Sequence, residues 1–203
     1  MSDHKKKDCD GERRNLLLAT SAVGGVAMVA AAVPFVASMA PSERAKAAGA
    51  SVEVDISKLA PGEKMVVKWR GKPVWILHRT PEMLALLETA ALKEKLKDPD
   101  STVKPVQPKY ASNAVRAQKK EYFVAIGICT HLGCSPTDKL KKGEMGPDWT
   151  GGFLCPCHGS LFDLAGRVLK GTLAETNLEI PPHMYLSDTV ILIGEDSDNT
   201  KGA

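Results

Sequence analysis

The sequence predicts a mostly β domain with one local helix, placed behind a single transmembrane helix at the N-terminus. Residues 16–40 contain no charged side chain, and as a helix they would extend roughly 37 Å, enough to cross a bilayer. After residue 51, short runs of β-branched and aromatic residues alternate with turn residues, and a helical repeat of leucines occurs in one segment only. The 203 residues have a net charge of +3, too small to indicate nucleic-acid binding, and the 25% charged fraction excludes a polytopic membrane protein.

Basic residues are concentrated before the apolar run rather than after it. Those that flank the run are Lys5, Lys6, Lys7, Arg13 and Arg14 on its N-terminal side, and Arg44 and Lys46 on its C-terminal side. By the positive-inside rule, the N-terminus stays in the cytoplasm and the large domain lies outside the membrane.

The start of the apolar run resembles an export signal. Arg13-Arg14, followed by Asn15-Leu16-Leu17, is similar to a twin-arginine signal, although two adjacent arginines can also act only as topology charges. A cleavable signal peptide cut near Ala45-Lys46-Ala47 is the alternative to an uncut anchor. Because the apolar run is longer than the usual signal core of about 7–15 residues, we predict an uncut anchor.

Changes in composition predict the organisation of the chain. Residues 41–50 are small and polar, unlike their neighbours, and as a tether they would reach on the order of 33–36 Å when fully extended. The predicted parts are a cytoplasmic tail with the export signal (1–15), a transmembrane anchor helix (16–40), a flexible tether or hinge (41–50), an extracytoplasmic domain (51–194) and a polar tail (195–203).

Several runs in the domain are typical of β-strands. They are rich in Val, Ile and aromatic residues, and turn chemistry such as Arg70-Gly71-Lys72-Pro73 separates them. The predicted strands are Val52–Ile56, Lys64–Trp69, Val74–His78, Tyr122–Ile128 and Tyr185–Ile193.

The local helix is predicted to begin at residue 80. Thr80 is an N-cap residue, Pro81 suits the first helical turn, and Glu82 places a negative charge at the positive end of the helix dipole. Leu84 and Leu87 follow at helical spacing, and we expect their face to pack in the core. Residues 98–118, with three prolines, are predicted to be irregular.

Two short loops carry four of the five cysteines and two of the five histidines. The first is Cys129-Thr130-His131-Leu132-Gly133-Cys134, and the second is Cys155-Pro156-Cys157-His158-Gly159-Ser160. Three chemistries fit these residue types. The loops could bind zinc through two Cys and two His, could form two disulfides, or could hold an iron–sulfur cluster while the remaining cysteines form a disulfide.

The motifs CTHLGC and CPCHGS resemble the Rieske iron–sulfur proteins. In that family the first Cys and the His of each loop hold one [2Fe–2S] cluster, and the two remaining cysteines form a disulfide. Carried over to this sequence, the resemblance implies the cluster ligands Cys129, His131, Cys155 and His158 and the disulfide Cys134–Cys157. It also implies an antiparallel β-sheet domain with an inserted cluster-binding subdomain at about residues 128–176.

The export signal, anchor, tether and disulfide cysteines together resemble the subunit of the quinol–cytochrome c reductase, or cytochrome bc complex, in its proteobacterial form. The resemblance implies that the chain takes one electron, with a proton, from ubiquinol, passes it to a c-type cytochrome and contributes to proton translocation. The implied partners are cytochrome b, a c-type cytochrome, ubiquinol and membrane lipid, within a dimeric complex and without nucleic acid. The implied location is the bacterial inner membrane, with a periplasmic Rieske domain.

The resemblance also implies roles for single residues. His158 is expected to accept a hydrogen bond and a proton from quinol, and Ser160 to donate a hydrogen bond to a cluster sulfur. The sequence departs from the family pattern twice. Phe162 stands where many respiratory members have a tyrosine, and Gly171–Glu175 replaces a proline-rich loop. We expect a lower reduction potential and a more mobile loop as a result.

Two other functions share parts of this pattern. A Rieske subunit of a periplasmic molybdenum oxidase would have similar ligands, but an uncut anchor favours the cytochrome bc complex. An extracytoplasmic binding module stabilised by zinc or disulfides is the alternative from another class. Cys9, in the predicted tail, has no partner loop and is expected to be an idle thiol.

Overall fold

The computed structural model describes residues 4–40, 42 and 49–197, and the chain divides into two compact units at residues 47 and 48. Most of the predicted tether and the last six residues of the predicted polar tail therefore lie outside the described residues, as does the side chain of Cys9. In the first unit, helix α1 covers His4–Ser38, and its Gly11–Ser38 portion has a mean hydropathy of 2.1. That portion is long and apolar enough to cross a membrane, as predicted.

The second unit contains nine short strands and two short α-helices within the described residues. The strands are β1 Val52–Asp55, β2 Lys64–Trp69, β3 Lys72–His78, β4 Tyr122–Ile126, β5 Thr137–Lys139, β6 Gly152–Leu154, β7 Leu161–Asp163, β8 His183–Tyr185 and β9 Val190–Ile193. The helices are α2 Pro81–Leu87 and α3 Ala90–Glu94, with a 3₁₀ turn at Lys109–Ala111.

The strands form three antiparallel sheets of three strands each. Their orders are β1-β9-β8, β2-β3-β4 and β5-β6-β7. In the third sheet, β5 and β6 lie between the two cysteine loops in sequence and β7 follows the second loop, so the whole sheet lies within the predicted cluster-binding subdomain. The prediction of a mostly β, antiparallel domain is confirmed.

Two predicted elements differ from the structure in detail. The strand predicted at Tyr185–Ile193 is a hairpin of β8 and β9, because residues 186–189, the last three of them polar, form a turn and Tyr185 pairs with Ile191. The local helix begins as predicted, with Thr80 Oγ1 accepting a hydrogen bond from the Met83 amide at 3.3 Å. It is divided in two because Thr89, in an extended conformation, caps a second short helix.

The central sheet β2-β3-β4 separates two hydrophobic cores. Alternate residues of a strand face opposite sides of its sheet, so Trp75 of β3 and Phe123 of β4 enter one core. Their neighbours Ile76 and Val124 enter the other core, against the β1-β9-β8 sheet. The first core also contains Cys129, Cys155 and residues of β6 and β7, so it lies directly beneath the two cysteine loops.

Candidate metal centre

The first loop leaves β4 through a glycine that the packing requires. A Cβ atom at Gly127 would lie 2.1 Å from the indole ring of Trp75, so a larger residue would displace the strand end. The loop is closed by the Cys129 amide, which donates to the Cys134 carbonyl at 2.7 Å, and by the Gly133 amide, which donates to the Cys129 carbonyl at 3.0 Å. Gly133 has φ +83°, a conformation that favours glycine.

The second loop repeats the hydrogen bonds of the first, position by position. The Cys155 amide donates to the Ser160 carbonyl at 2.8 Å, and the Gly159 amide donates to the Cys155 carbonyl at 2.9 Å. Gly159 has φ +74°, matching the glycine of the first loop. The two loops therefore share one pattern of backbone hydrogen bonds, although their cysteines and histidines are spaced differently.

A disulfide between Cys134 and Cys157 joins the two loops, which is the pairing that the resemblance implies. The sulfur of Cys155 lies within 4.8 Å of both disulfide sulfurs. A disulfide sulfur has no thiolate to offer a metal ion, so this group of three sulfurs is not by itself a metal site. Among the described cysteines, the free thiols are those of Cys129 and Cys155, and both residues are buried.

The two free thiols and the two imidazoles of the loops form a donor set that fits a [2Fe–2S] cluster. The rings of His131 and His158 meet edge to face, with centroids 4.8 Å apart. Nδ1 of His131 is buried and has no hydrogen-bond partner among the described residues. Two sulfur donors and two imidazole donors are the ligands of a Rieske centre.

The environment of Cys129 agrees with a metal-binding thiol. Burial raises the pKa of the Cys129 thiol above its ordinary value, and the neighbouring Cys155 thiol raises it further. The backbone amide of His131 and the hydroxyl of Ser160 act in the opposite direction, since they donate hydrogen bonds to the sulfur. A bound cation favours the thiolate form, so the metal would release the protons that burial otherwise retains.

The histidine of the second loop is the accessible one. His158 is exposed, whereas His131 is half-buried. Leu132, at the tip of the first loop, has 72% of its surface exposed. The end of the domain therefore presents an imidazole edge beside an apolar side chain.

Ser160, the last residue of the second loop, and Phe162, two positions further along the chain, are fully buried. The hydroxyl oxygen of Ser160 accepts a hydrogen bond from the Ala174 amide at 3.1 Å. Phe162 packs in the same core as Cys129 and Cys155 and has no polar group to offer them.

Residues 171–176, hereafter the cover segment, lie against this site and contain the proline-free sequence noted above. Thr130 of the first loop donates to the Thr176 carbonyl at 2.6 Å. Glu175, an acidic residue of this segment, has its carboxylate 3.5 Å from the ammonium of Lys97. The charge of Glu175 is thus partly balanced by a residue that the sequence analysis did not single out.

The remaining described histidines lie away from the loops. His78 stacks on Tyr122, with ring centroids 4.5 Å apart, and its Nδ1 lies 2.7 Å from the Leu59 carbonyl. His183 is buried, with its Nδ1 2.9 Å from the Pro181 carbonyl. Neither histidine joins the donor set.

Sequence reasoning missed three buried arginines that hold the chain below the site. They are Arg79, Arg116 and Arg167. No spacing pattern marks them, because their partners are carbonyl groups of distant segments. Arg167 also pairs with the buried Asp163 at 2.7 Å, and a charge pair four residues apart is the one local signal that could have indicated this.

The fold, the paired loops and the disulfide agree with what family comparison finds. Residues 52–182 match the family model described as the Rieske [2Fe-2S] domain. Residues 1–42 match a second model, described as the TAT signal of the ubiquinol–cytochrome c reductase Fe-S subunit, and this match confirms the predicted twin-arginine signal. The class is therefore that of a Rieske protein, and its cofactor is a [2Fe–2S] cluster.

Full-length relatives narrow this class. The chain is 63% identical to the ubiquinol–cytochrome c reductase iron–sulfur subunit of Allochromatium vinosum over 186 residues, which are 91% of this chain and 88% of that protein. It is 39% identical to the subunit of the same name from Rhodospirillum rubrum, over 95% of this chain and 98% of that one. The chain belongs to the family of ubiquinol–cytochrome c reductase iron–sulfur subunits, as the resemblance implied.

One solved structure that the chain is similar to is a chain of a hyperthermophilic respiratory Complex III. It is 28% identical, has a TM-score of 0.46, and the match covers 85% of this chain and 97% of that chain. Membership in the family makes the chain an electron-transfer subunit of an oxidoreductase, the cytochrome bc complex. The apolar helix and the TAT-signal match indicate a membrane-anchored chain whose Rieske domain is exported.

Proposed function

We propose that this chain holds its [2Fe–2S] cluster with one thiolate and one imidazole from each loop and carries single electrons from ubiquinol to a c-type cytochrome. The proposed ligands are Cys129, His131, Cys155 and His158. The observation that carries the assignment is the division of the loop cysteines into two free, buried thiols and one disulfide. The free thiols are available to metal, and both histidines lie in the same pair of loops.

When bound, a cluster with two imidazole ligands accepts and releases one electron at a potential of about −150 to +300 mV. The residues of this chain determine which molecules can approach it. The disulfide Cys134–Cys157 holds the two loops together, and the core beneath them excludes water from the Cys129 and Cys155 thiols.

His158 is the proposed catalytic residue. Its exposed ring can accept a hydrogen bond from the hydroxyl of ubiquinol at the nitrogen that is not a ligand. The same nitrogen then holds the proton that leaves the quinol, so proton transfer accompanies electron transfer. The exposed Leu132 and the half-buried His131 would contact the protein surface that surrounds the bound quinol.

We further propose the partners and the placement that this role requires. The partners are cytochrome b, a c-type cytochrome and membrane lipid, in a dimeric complex of the bacterial inner membrane. The anchor at 16–40 stays uncut, with residues 1–15 in the cytoplasm and the Rieske domain in the periplasm. Residues 41–50 act as a tether that lets the domain move from the quinol site to the cytochrome, and residues 195–203 form a polar tail.

Low-temperature EPR of the reduced, detergent-solubilised full chain tests the ligand assignment. The wild-type chain and a Cys9→Ser control should both give the spectrum of a mixed-ligand [2Fe–2S] cluster. A Cys155→Ser variant should lose that spectrum, because serine does not replace the thiolate. A wild-type chain that is EPR-silent and contains stoichiometric zinc would overturn the assignment in favour of a zinc-stabilised module.

Co-purification tests the complex. Affinity purification of the tagged chain from native membranes should recover a dihaem cytochrome b, whereas recovery of a molybdenum oxidase subunit instead would reject the proposed partner.

A chain with residues 41–50 shortened should keep its cluster and lose quinol turnover. Full turnover in that variant would reject the movement of the domain.

A further inference from the structure

We propose that Lys97 is a positioning residue for the Rieske centre, since it holds the cover segment so that the Ala174 amide fixes the hydroxyl of Ser160. The inference rests on the ligand assignment proposed above, because Ser160 follows the second loop's ligands directly. It assigns a role in electron transfer to a lysine that lies outside both cysteine loops.

The ammonium group of Lys97 reaches three acceptors of the cover segment. Nζ donates to the carbonyl oxygens of Thr172 at 3.0 Å and Ala174 at 2.8 Å, and it lies 3.5 Å from Oε1 of Glu175. An ammonium group has three donors, so this set uses all of them. The side chain of Lys97 is 25% exposed, whereas that of Glu175 is 82% exposed, so the carbonyl contacts are better shielded from water than the ion pair.

The backbone of Lys97 is itself fixed to the chain that precedes the cover segment. Its amide donates to the Val168 carbonyl at 3.0 Å, and the Lys170 amide donates to the Lys95 carbonyl at 2.8 Å. These bonds flank an isolated β-bridge between Leu96 and Leu169. Lys97 therefore extends from a rigid base, and its contacts restrain the segment rather than follow it.

Ala174 connects Lys97 to Ser160. Its carbonyl accepts from Lys97, and its amide donates to the Ser160 hydroxyl oxygen at 3.1 Å. Ala174 and Ser160 are both fully buried. The oxygen of Ser160 accepts a hydrogen bond from the Ala174 amide, so the hydroxyl hydrogen points away from Ala174. The hydroxyl can therefore donate to a sulfur atom of the site.

This arrangement explains how a cover segment without prolines can be held in place. Proline would limit the segment through its fixed φ, but a proline at position 174 would have no amide hydrogen for Ser160. Charge-assisted hydrogen bonds from Lys97 supply the restraint instead, and Thr130 secures the far end through the Thr176 carbonyl. The contacts oppose the mobility that the lack of proline predicts.

Two consequences separate this role from a surface ion pair. If Lys97 acts through the carbonyl groups, then Glu175→Gln, which removes only the ion pair, should leave the segment ordered. If Lys97 acts on the potential through Ser160, then its effect should vanish when the Ser160 hydroxyl is absent. A direct effect of the lysine charge would persist in that background.

The test uses the full chain loaded with its cluster, in detergent, as wild type and as Lys97→Met, Glu175→Gln, Ser160→Ala and Lys97→Met/Ser160→Ala. Methionine keeps the apolar stem of Lys97 and removes the donors. In Lys97→Met, we expect hydrogen exchange at the Ala174 amide to rise at least tenfold. The midpoint potential should shift in the same direction as in Ser160→Ala and by a smaller amount. Glu175→Gln should change neither quantity.

The double variant decides the mechanism. It should have the midpoint potential of Ser160→Ala, with no further shift. Unchanged exchange at Ala174 in Lys97→Met, or an additive shift in the double variant, would overturn the inference. A wild-type chain without a cluster would instead reject the ligand assignment, so the two proposals fail by different observations.

Discussion

The two hydrophobic cores on either side of the central sheet are built differently. In the core between the β1-β9-β8 and β2-β3-β4 sheets, the buried residues are valine and isoleucine with one aromatic residue, Trp69. The core beneath the cysteine loops has mixed apolar side chains, and the fully buried arginines Arg79, Arg116 and Arg167 lie next to it. Hereafter these are the aliphatic core and the loop core.

The difference follows from how each region satisfies its backbone. Strands flank the aliphatic core, so the sheet ladders pair its amides and carbonyls. The loop core is flanked by the central and third sheets and also by irregular chain, whose carbonyls need other donors. Residues whose carbonyls accept from the three arginines are Leu87, Pro99, Val115, Lys120, Leu164, Ala165, Gly166 and Leu178.

The buried arginines thus donate hydrogen bonds to the part of the chain around the loop core that no sheet pairs. Burial lowers the pKa of Arg79 and of Arg116 to about 10, so both remain charged at neutral pH. Arg167 has its charge balanced by Asp163, whose second carboxylate oxygen accepts from the backbone amides of Ala165 and Arg167. A rigid irregular region therefore needs buried cations, whereas a sheet needs only apolar packing.

The largest expected effect is the loss of unfolding free energy when one of the buried arginines is replaced. Arg167→Met leaves the Asp163 carboxylate buried without its partner, and we expect a loss of about 3–5 kcal/mol in the free energy of unfolding. Ile191→Val in the aliphatic core is the control and should lose about 0.5–1.5 kcal/mol. Urea unfolding followed by near-ultraviolet circular dichroism measures both. Equal losses would show that the two cores do not differ in this way.

Adding a polar group to the loop core should raise the reduction potential. Phe162→Tyr places a hydroxyl in the buried position beside the cysteines, where a hydrogen bond to the charged centre is worth about 1.5–3 kcal/mol. At 59 mV per tenfold change, this corresponds to a rise of at most about 60–130 mV. Protein-film voltammetry measures it, with Phe123→Tyr in the same core as the control. No rise in Phe162→Tyr, or an equal rise in the control, contradicts the prediction.

Removing a contact between the central sheet and the third sheet should have an intermediate effect on the free energy of unfolding. Lys64 of β2 pairs with Asp138 of β5, and its ammonium lies 4.1 Å from the ring centroid of Trp75. Its side chain is 12% exposed, so we expect Lys64→Met to cost about 1–2 kcal/mol of unfolding free energy. The exposed pair of Lys72 with Glu179 is the control, and Lys72→Met should cost less than about 1 kcal/mol. The reverse order would contradict the prediction.

The smallest expected effect is a pH dependence of the unfolding free energy that comes from His183. This residue lies where β8 contacts the irregular segment 98–118. Burial lowers the pKa of His183, while the Pro181 carbonyl and Asp196 oppose the shift. The unfolded chain therefore binds the proton more tightly than the folded chain. The contribution of His183 is complete above pH ~6.5 and is lost as the pH falls below this value. The test is urea unfolding at pH 7.5 and at pH 5.5, both on the order of one unit from that pKa. The free energy of unfolding should change less between these two pH values in His183→Gln than in wild type. An unchanged slope would mean that another group is responsible.

The parts of the fold that the sequence predicted well are those with a local cause. Alternation of apolar residues in β3 and β4 and the capping residue Thr80 are readable because each depends on neighbours a few positions away. The three strands of the third sheet were not predicted, since three residues each are too few to show a period. The turn that divides β8 from β9 was missed for a similar reason, because only three polar residues, 187–189, separate two short apolar runs.

The candidate site also has features that the sequence indicates and features that it does not. The two cysteine loops could be recognised because Cys and His residues cluster within six positions in each loop, with a glycine four positions after the first cysteine, and such local patterns are visible in a sequence. Lys97 could not be recognised, because its acceptors are 75 and 77 residues away and are backbone carbonyls, which leave no trace in side-chain type.

The sequence by itself predicted a membrane-spanning helix, a mostly β domain and the residues proposed to hold an iron–sulfur cluster. Those properties depend on hydropathy, period and donor chemistry, which are local. Only the tertiary structure decided which cations lie buried beneath the loops and which lysine restrains the cover segment. Those contacts join segments far apart in the chain, and a donor finds a carbonyl only after the fold has brought the two together.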